Sequence, residues 1–116
     1  MSSTICMKSC HVAIRLDNPL NGAHGHWSTQ ARKRKKQRQS TQISWVLDRM
    51  PRALEPGMRV KIVRLGPRSL DSDNLQAACK SVRDAVAEML GINDRLEIWD
   101  YGQERGEYGV RIEITP

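Results

Sequence analysis

The stretch from residue 58 to residue 91 constrains the fold most, because it contains a strand and a helix with clear ends. Apolar and charged residues alternate from Met58 to Leu65, which is the two-residue period of a half-buried strand. Gly66-Pro67 ends this strand. The apolar stripe of a helix follows from about Asn74 to Leu90, and Gly91 is its natural C-terminal residue. A chain that passes from strand to helix in this way packs helices on a sheet.

Three further strands and one further helix flank this unit. Alternation over Val12, Ile14 and Leu16 predicts a first strand, and a helix is predicted from about residue 28 to residue 50. Near the C-terminus, residues 96–99 and 108–114 predict two strands, most simply an antiparallel hairpin. The predicted class is α/β (α+β), with a mixed sheet of about four strands, two helices and the order β-α-β-α-β-β. All 116 residues form a single domain by this interpretation.

Charge is divided unevenly along the chain. Residues 1–66 carry 13 Lys or Arg and 3 Asp or Glu, whereas residues 67–116 carry 6 and 10. A basic surface favours a polyanion and clustered acids favour cations, so nucleic acid together with a divalent metal would suit both halves. The alternative is that the two halves simply neutralise each other within the fold.

The predicted first helix differs between its two ends. Its N-terminal half, residues 32–38, has cations on every face, which suits contact with a phosphate backbone. The candidate phosphate contacts are Lys33, Lys36, Arg38 and, beside the acidic motif, Arg68. The C-terminal half has apolar residues at helical spacing, which predict the face that packs on the core. These residues are Ile43, Val46, Leu47 and Met50. The alternative for the basic run is a solvated, partly frayed turn without a ligand.

Three carboxylates lie at the two ends of the predicted second helix, which with the preceding acidic motif spans about residues 70–91. Asp71 and Asp73 precede the helix and Asp94 follows it. If the strand that begins near Arg95 lies beside the strand ending at Leu65, Asp94 comes close to the other two acids. Ligands that offer only oxygen suit Mg²⁺, with Mn²⁺ as a substitute, and do not suit zinc.

Each of these acids also has a purely structural interpretation. Asp73 with Gln76 fits a helix capping box, and both Asp71 and Asp94 fit ordinary turns. Lys80 and Asp84 project from the helical face that Asp73 also occupies. They fit either a surface ion pair or a lysine that supports the site by binding a phosphate oxygen.

Three motifs carry a family resemblance. They are Asp71-x-Asp73-Asn74-Leu75, the Lys-x-x-x-Asp step from Lys80 to Asp84, and the Gly-x-x-Asp turn from Gly91 to Asp94. Over about residues 58–114 the chain resembles the RusA-type Holliday junction resolvases of phages and prophages. The resemblance implies that Asp71, Asp73 and Asp94 are metal-binding catalytic acids and that Lys80 is the accessory catalytic lysine. Asn74 and Asp84 are the supporting residues. The family lysine stands one turn after the Asp-Asn pair, where this chain has Ala77.

The resemblance also implies a function. It predicts a homodimer that uses Mg²⁺ to nick four-way DNA junctions symmetrically, in the cytoplasm of a bacterial host. Cutting two strands requires two active sites, which a two-fold dimer supplies. The alternative from another class is a non-catalytic nucleic-acid-binding module whose acids only cap helices. A further alternative is the same nuclease chemistry on other branched DNA.

Composition excludes other classes of protein. No apolar run reaches the length of a membrane span or a signal peptide core, so a cytoplasmic location is expected. The odd number of cysteines agrees with a reducing compartment. Cys6 and Cys10 with His24 and His26 are off the usual spacing of a zinc site. Trp27 and Trp45 are expected to pack in the core or anchor the helix, with stacking on exposed bases as the alternative.

Overall fold

The computed structural model describes residues 8–16 and 27–116, which form one mixed four-stranded sheet with three helices. The elements in chain order are β1 (Lys8–Val12), α1 (Trp27–Leu47), β2 (Arg59–Gly66), α2 (Ser72–Ala78), α3 (Lys80–Leu90), β3 (Trp99–Arg105) and β4 (Gly109–Thr115). The predicted α+β class with a mixed sheet is therefore confirmed. Cys6, His24 and His26 of the zinc interpretation lie outside the described residues.

The strands lie in the order β1-β4-β2-β3, with β2 and β3 parallel and the other neighbours antiparallel. The predicted antiparallel hairpin of the last two strands is wrong, because β2 lies between β3 and β4. β2 has apolar residues on both faces, Val60 and Ile62 on one and Val63 on the other, and all three are buried. A strand that is apolar on both faces suits the interior of a sheet, where each of its edges has a neighbouring strand. The parallel pairing of β2 with β3 requires a crossover connection, which α2 and α3 supply.

The two faces of the sheet differ in character. One face carries the buried side chains that meet the helices, including Ile62 of β2 and Ile112 of β4 against Val82 and Val86 of α3. The opposite face carries ion pairs, some between strands and one within β4. Arg59 Nε lies 2.8 Å from an oxygen of Asp100, and Arg111 bridges Glu104 and Glu113. The pKa of Asp100 is lowered by its hydrogen bond from Arg59.

The predicted single helix after the acidic motif is two helices, α2 and α3, that meet at Cys79. The backbone of Cys79 has φ −83° and ψ −3°, so its ψ departs from helical values and redirects the chain. The burial of Leu75 and Ala78 in α2 and of Val82 in α3 shows that the apolar stripe continues through the bend. Gly91 ends α3 with a left-handed φ of 65°, as predicted.

The face of α1 that packs on the core is not the one predicted. Trp45 is fully buried, and its indole Nε1 donates to the carbonyl oxygen of Pro51 at 2.9 Å. The large apolar surface of a tryptophan outweighs that of smaller residues on the opposite face. Ile43, Val46 and Leu47 are consequently 60%, 50% and 74% exposed, although Met50 is buried as predicted. We call these three exposed residues the α1 stripe.

Within residues 8–16 and 27–116, no helix has both the length and the apolar character needed to cross a bilayer.

Candidate functional site

A basic cleft of about 980 Å³ lies between α1, the loop from β2 to α2, and the start of α3. Seven cationic side chains line it: Arg15, Lys33, Arg34, Arg38, Arg64, Arg68 and Lys80. Only two carboxylates, Asp71 and Asp84, are among its lining residues. A concave surface with this excess of positive charge concentrates polyanions such as nucleic acid.

The cleft brings together most of the residues that the sequence singles out. Lys33, Arg38, Arg68, Asp71, Asn74, Lys80 and Asp84 all line it. Lys36, Asp73 and Asp94 do not lie among its lining residues. Lys36 is exposed on another side of α1, because a run of cations around a helix cannot direct all its members into one groove.

Arg64 holds two walls of the cleft together. The residue is only 3% exposed, and its guanidinium donates from Nε to the carbonyl oxygen of Leu16 at 2.6 Å. Its Nη1 donates to the carbonyl oxygen of Arg68 at 2.7 Å. The segment after β1 and the loop after β2 are thereby fixed to the central strand. Arg64 also adds a buried positive charge to the floor of the cleft.

The acidic motif is anchored to β3 by Gln103. The side-chain oxygen of Gln103 accepts from the backbone N–H of Leu70 at 2.8 Å, and its Nε2 donates to the carbonyl oxygen of Leu70 at 2.6 Å. A side-chain amide that satisfies both backbone groups of one residue acts like a short piece of strand pairing. The residue before Asp71 is therefore fixed in position.

Asp71 is the N-cap of α2. One carboxylate oxygen accepts from the backbone N–H of Asn74 at 2.9 Å, and the other accepts from the Asn74 side chain at 3.1 Å. The capping-box interpretation assigned the N-cap role to Asp73 and is wrong, because the N-cap lies two residues earlier, at Asp71. Asp73 instead lies exposed in the first turn of α2. Negative charge at this position is favourable because the N-terminus of a helix carries partial positive charge.

Asp84 and Asp94 form a carboxyl pair in a recess of about 420 Å³ beside α3. Burial raises the pKa of Asp84 first, and the neighbouring carboxyl group of Asp94 raises it further. Arg83 and Lys80 act in the opposite direction. Arg83 Nη2 lies 3.9 Å from an oxygen of Asp94. Two neighbouring carboxyl groups repel each other when both are ionised, and a cation in the recess would relieve that repulsion.

Lys80 connects the recess to the basic cleft. It stands at the start of α3, is exposed, and lines both cavities together with Asp84. The i,i+4 spacing of Lys80 and Asp84 places them on the same side of the helix, as predicted. Lys80 and Asp84 thus separate the basic cleft from the recess. A phosphate in the cleft would lie on one side of these two residues, and a cation in the recess would lie on the other.

The three predicted metal ligands do not assemble as one group. Among the described residues, no cluster of three or more His, Cys, Asp or Glu side chains is placed to hold a metal ion. The topology gives the reason, because β3 runs parallel to β2 and not back toward its end. Asp71 therefore follows the C-terminal end of β2, whereas Asp94 precedes the N-terminal end of β3 and contacts Asp84 instead.

Several residues of the site were missed in the sequence. They are Arg15, Arg34, Arg64, Gln103 and Tyr108. Arg64 had a visible signal, because it occupies the same phase of β2 as the apolar residues Val60 and Ile62, and a charged side chain there must find buried partners. Arg15, Gln103 and Tyr108 had none, since their roles depend on strands that are distant in sequence.

Comparison of the chain with protein-family models and with curated proteins found no match. The resemblance to RusA-type resolvases therefore rests on the motif residues themselves.

Proposed function

We propose that this protein is a Mg²⁺-dependent, structure-selective endonuclease that resolves four-way (Holliday) DNA junctions by hydrolysing phosphodiester bonds. The observation that carries the proposal is the basic cleft, which Asp71 at the start of α2 lines together with seven cationic side chains. Cations alone would suit any polyanion-binding surface. Carboxylates among them suit an enzyme that handles a metal ion beside a phosphate.

Each part of the cleft has a role in this proposal. Lys33 and Arg38 on α1 and Arg68 on the facing loop bind phosphates that flank the scissile one, with Lys36 as an outer contact. Contacts of this kind recognise the shape and charge of DNA and not its sequence. Lys80 donates to a non-bridging oxygen of the scissile phosphate, where negative charge increases in the transition state. Asn74 and Asp84 support the two ends of the acidic site.

The chemistry of the acidic side chains fits Mg²⁺ or Mn²⁺, because all of them offer oxygen. Asp71, Asp73 and Asp94 would hold the ion, with Asp84 beside them. When bound, the ion would neutralise charge on the scissile phosphate and favour in-line attack by water. In the described conformation Asp94 lies beside Asp84 and apart from Asp71, so a site made of all three acids requires a change of conformation.

The proposed active form is a homodimer that is encoded by a phage or prophage and acts on branched DNA in the cytoplasm of the bacterial host. Symmetric nicking of two strands needs two sites related by a two-fold axis. The α1 stripe supports a dimer, because three large apolar residues at i, i+3 and i+4 on an exposed helix face are typical of a helix that packs against a partner.

A competing function is a nucleic-acid-binding module without catalysis. The observation that favours it is that Asp71 already serves as a helix cap, while the described residues hold no three-member metal group. The basic cleft would bind DNA or RNA in either case. The two functions therefore differ in hydrolysis and not in binding.

The experiment that tests the proposal compares two substrates. A synthetic four-way junction and a linear duplex of matching sequence are incubated with the protein in Mg²⁺ and, separately, in EDTA. The proposal predicts nicks in the junction only, at symmetric positions, and only with the metal. Binding of the junction without any nick would favour the binding module, and equal cutting of both substrates would exclude a resolvase.

A further inference from the structure

Arg15 and Tyr108 form a stacked pair in the wall of the basic cleft. The guanidinium carbon of Arg15 lies 4.3 Å from the centroid of the Tyr108 ring, and both residues line the cleft. A planar guanidinium over an aromatic ring is a cation–π contact that holds both groups in one orientation. Arg15 is exposed, and Tyr108 is 38% exposed. The pair thus presents flat, partly apolar surface within a groove of cations.

The backbone around both residues is fixed. Tyr108 directly precedes β4, whose first residue Gly109 pairs with Leu65 of the central strand. Arg15 directly precedes Leu16, which is fully buried and whose carbonyl oxygen accepts from Arg64. The pair is therefore held in place before any ligand arrives, which lowers the entropic cost of binding.

The flat surface of the Arg15–Tyr108 pair, in the wall of a cationic cleft, suits an unpaired nucleobase. Tyr108 lies in the turn between β3 and β4 and is not part of the hydrophobic core. Paired bases inside a duplex are already stacked on each other and offer their faces to no side chain. Unpaired bases stack on aromatic rings and on arginine guanidinium planes, and nearby cations hold their phosphates.

We infer that the Arg15–Tyr108 pair binds an unstacked nucleobase of the strand whose phosphates occupy the basic cleft. This inference rests on the proposed function and deepens it by naming what the site recognises. The recognised feature is a nucleotide without a stacked neighbour, which branched DNA offers at its exchange point and a continuous duplex does not. The pair then contributes to the preference for branched substrates over linear ones.

The test measures the dissociation constant of a synthetic four-way junction in EDTA, where no cleavage competes with binding. The unmodified junction is compared with junctions that carry abasic nucleotides at positions flanking the exchange point. The proteins are the parent, Tyr108→Leu and Tyr108→Phe, and urea unfolding of each checks that the fold is retained. Tyr108→Phe keeps the ring and serves as the matched control for Tyr108→Leu.

The inference predicts that one abasic position weakens binding by the parent roughly 5- to 140-fold, which corresponds to the free energy of stacking of one base. Tyr108→Leu should weaken binding of the unmodified junction to a similar extent and should be insensitive to that abasic position. Tyr108→Phe should behave as the parent does. Equal sensitivity of the parent and Tyr108→Leu to every abasic position would overturn the inference while leaving junction binding intact. A parent protein that binds no junction would overturn both the inference and the proposed function.

Discussion

The carboxyl group of Asp84 on α3 neighbours the carboxyl group of Asp94 in the turn that follows α3, and both side chains line one recess. Burial raises the pKa of Asp84, and the negative charge of Asp94 beside it raises that pKa further.

This pair predicts how stability depends on pH. Between the ordinary pKa of an aspartate and the raised pKa of Asp84, the folded protein holds a proton that the unfolded chain has lost. Its contribution to stability is therefore present at low pH and is lost as pH rises through the raised pKa. Asp84→Asn cannot ionise, so the stability of the variant relative to the parent should increase as the pH rises above the ordinary pKa of an aspartate, about 4.

The measurement is the free energy of unfolding in urea at a series of pH values. Glu88→Gln is the matched control, because Glu88 is an exposed carboxylate that lines the same recess. Parallel pH profiles for the parent and Asp84→Asn would contradict the account of the carboxyl pair.

Lys33 and Lys36 offer a sharp test of the cleft, because they lie one turn apart on α1 and only Lys33 lines it. Lys33→Ala should weaken junction binding and lower the slope of log K against log salt concentration by about 1, since one phosphate contact is lost. Lys36→Ala should have a much smaller effect on both quantities. Titrations at several salt concentrations measure this, and equal effects of the two substitutions would place the DNA outside the cleft.

Arg64 is expected to matter for stability as well as for charge. Arg64→Met removes two hydrogen bonds from a buried guanidinium and leaves the carbonyl oxygens of Leu16 and Arg68 without that donor. The free energy of unfolding should fall by about 3 kcal/mol. Arg68→Met keeps its own backbone carbonyl and changes only an exposed side chain, so its effect should stay within about 0.5 kcal/mol. Similar urea midpoints for the two variants would show that Arg64 does not hold the walls together.

Much of the fold was predictable because local patterns determine it. The alternation in β2, the apolar stripe of α3 and the glycine that ends it each depend on neighbours within one element. The predicted hairpin of β3 and β4 is wrong because β2 lies between these two strands. Strand order depends on contacts between elements that are distant in sequence, and the local pattern of the last two strands does not contain it. The expectation that Trp45 packs in the core is confirmed, whereas the prediction that Ile43, Val46 and Leu47 face the core is wrong. Trp45 enters the core from another side of α1, so these three residues face away from it.

The site was predictable in composition and not in geometry. Cations of α1 and the acids of α2 were expected to share a surface, and the basic cleft brings Lys33 and Arg38 to Asp71. The position of Asp94 depends on whether β3 runs parallel or antiparallel to β2, and the local sequence pattern does not reveal this direction. Parallel pairing with β2 sends Asp94 to Asp84.

The α1 stripe predicts where the proposed dimer forms. Ile43→Glu with Leu47→Glu places charges on an exposed helix face, so the variant should fold normally, with a change within about 0.5 kcal/mol per substitution, and should be a monomer. Sedimentation equilibrium measures the mass of the parent and the variant. Trp45→Ala, on the buried face of the same helix, should instead cost about 3–5 kcal/mol. A parent protein that is a monomer, or a double variant that remains a dimer, would contradict this assignment.

The central claim is that the acids beside the basic cleft catalyse hydrolysis, and Asp73→Asn tests it most directly. Asp73 is exposed and is not the cap of α2, so its substitution leaves the anchoring of the helix intact, unlike a change at Asp71. The measurement is the rate of Mg²⁺-dependent nicking of a four-way junction, with Glu55→Gln, an exposed acid in the loop before β2, as the control. Nicking by Asp73→Asn should fall at least about 100-fold, or about 2.7 kcal/mol of transition-state stabilisation, while junction binding stays equal or tightens. Nicking at the parent rate by Asp73→Asn would contradict the claim.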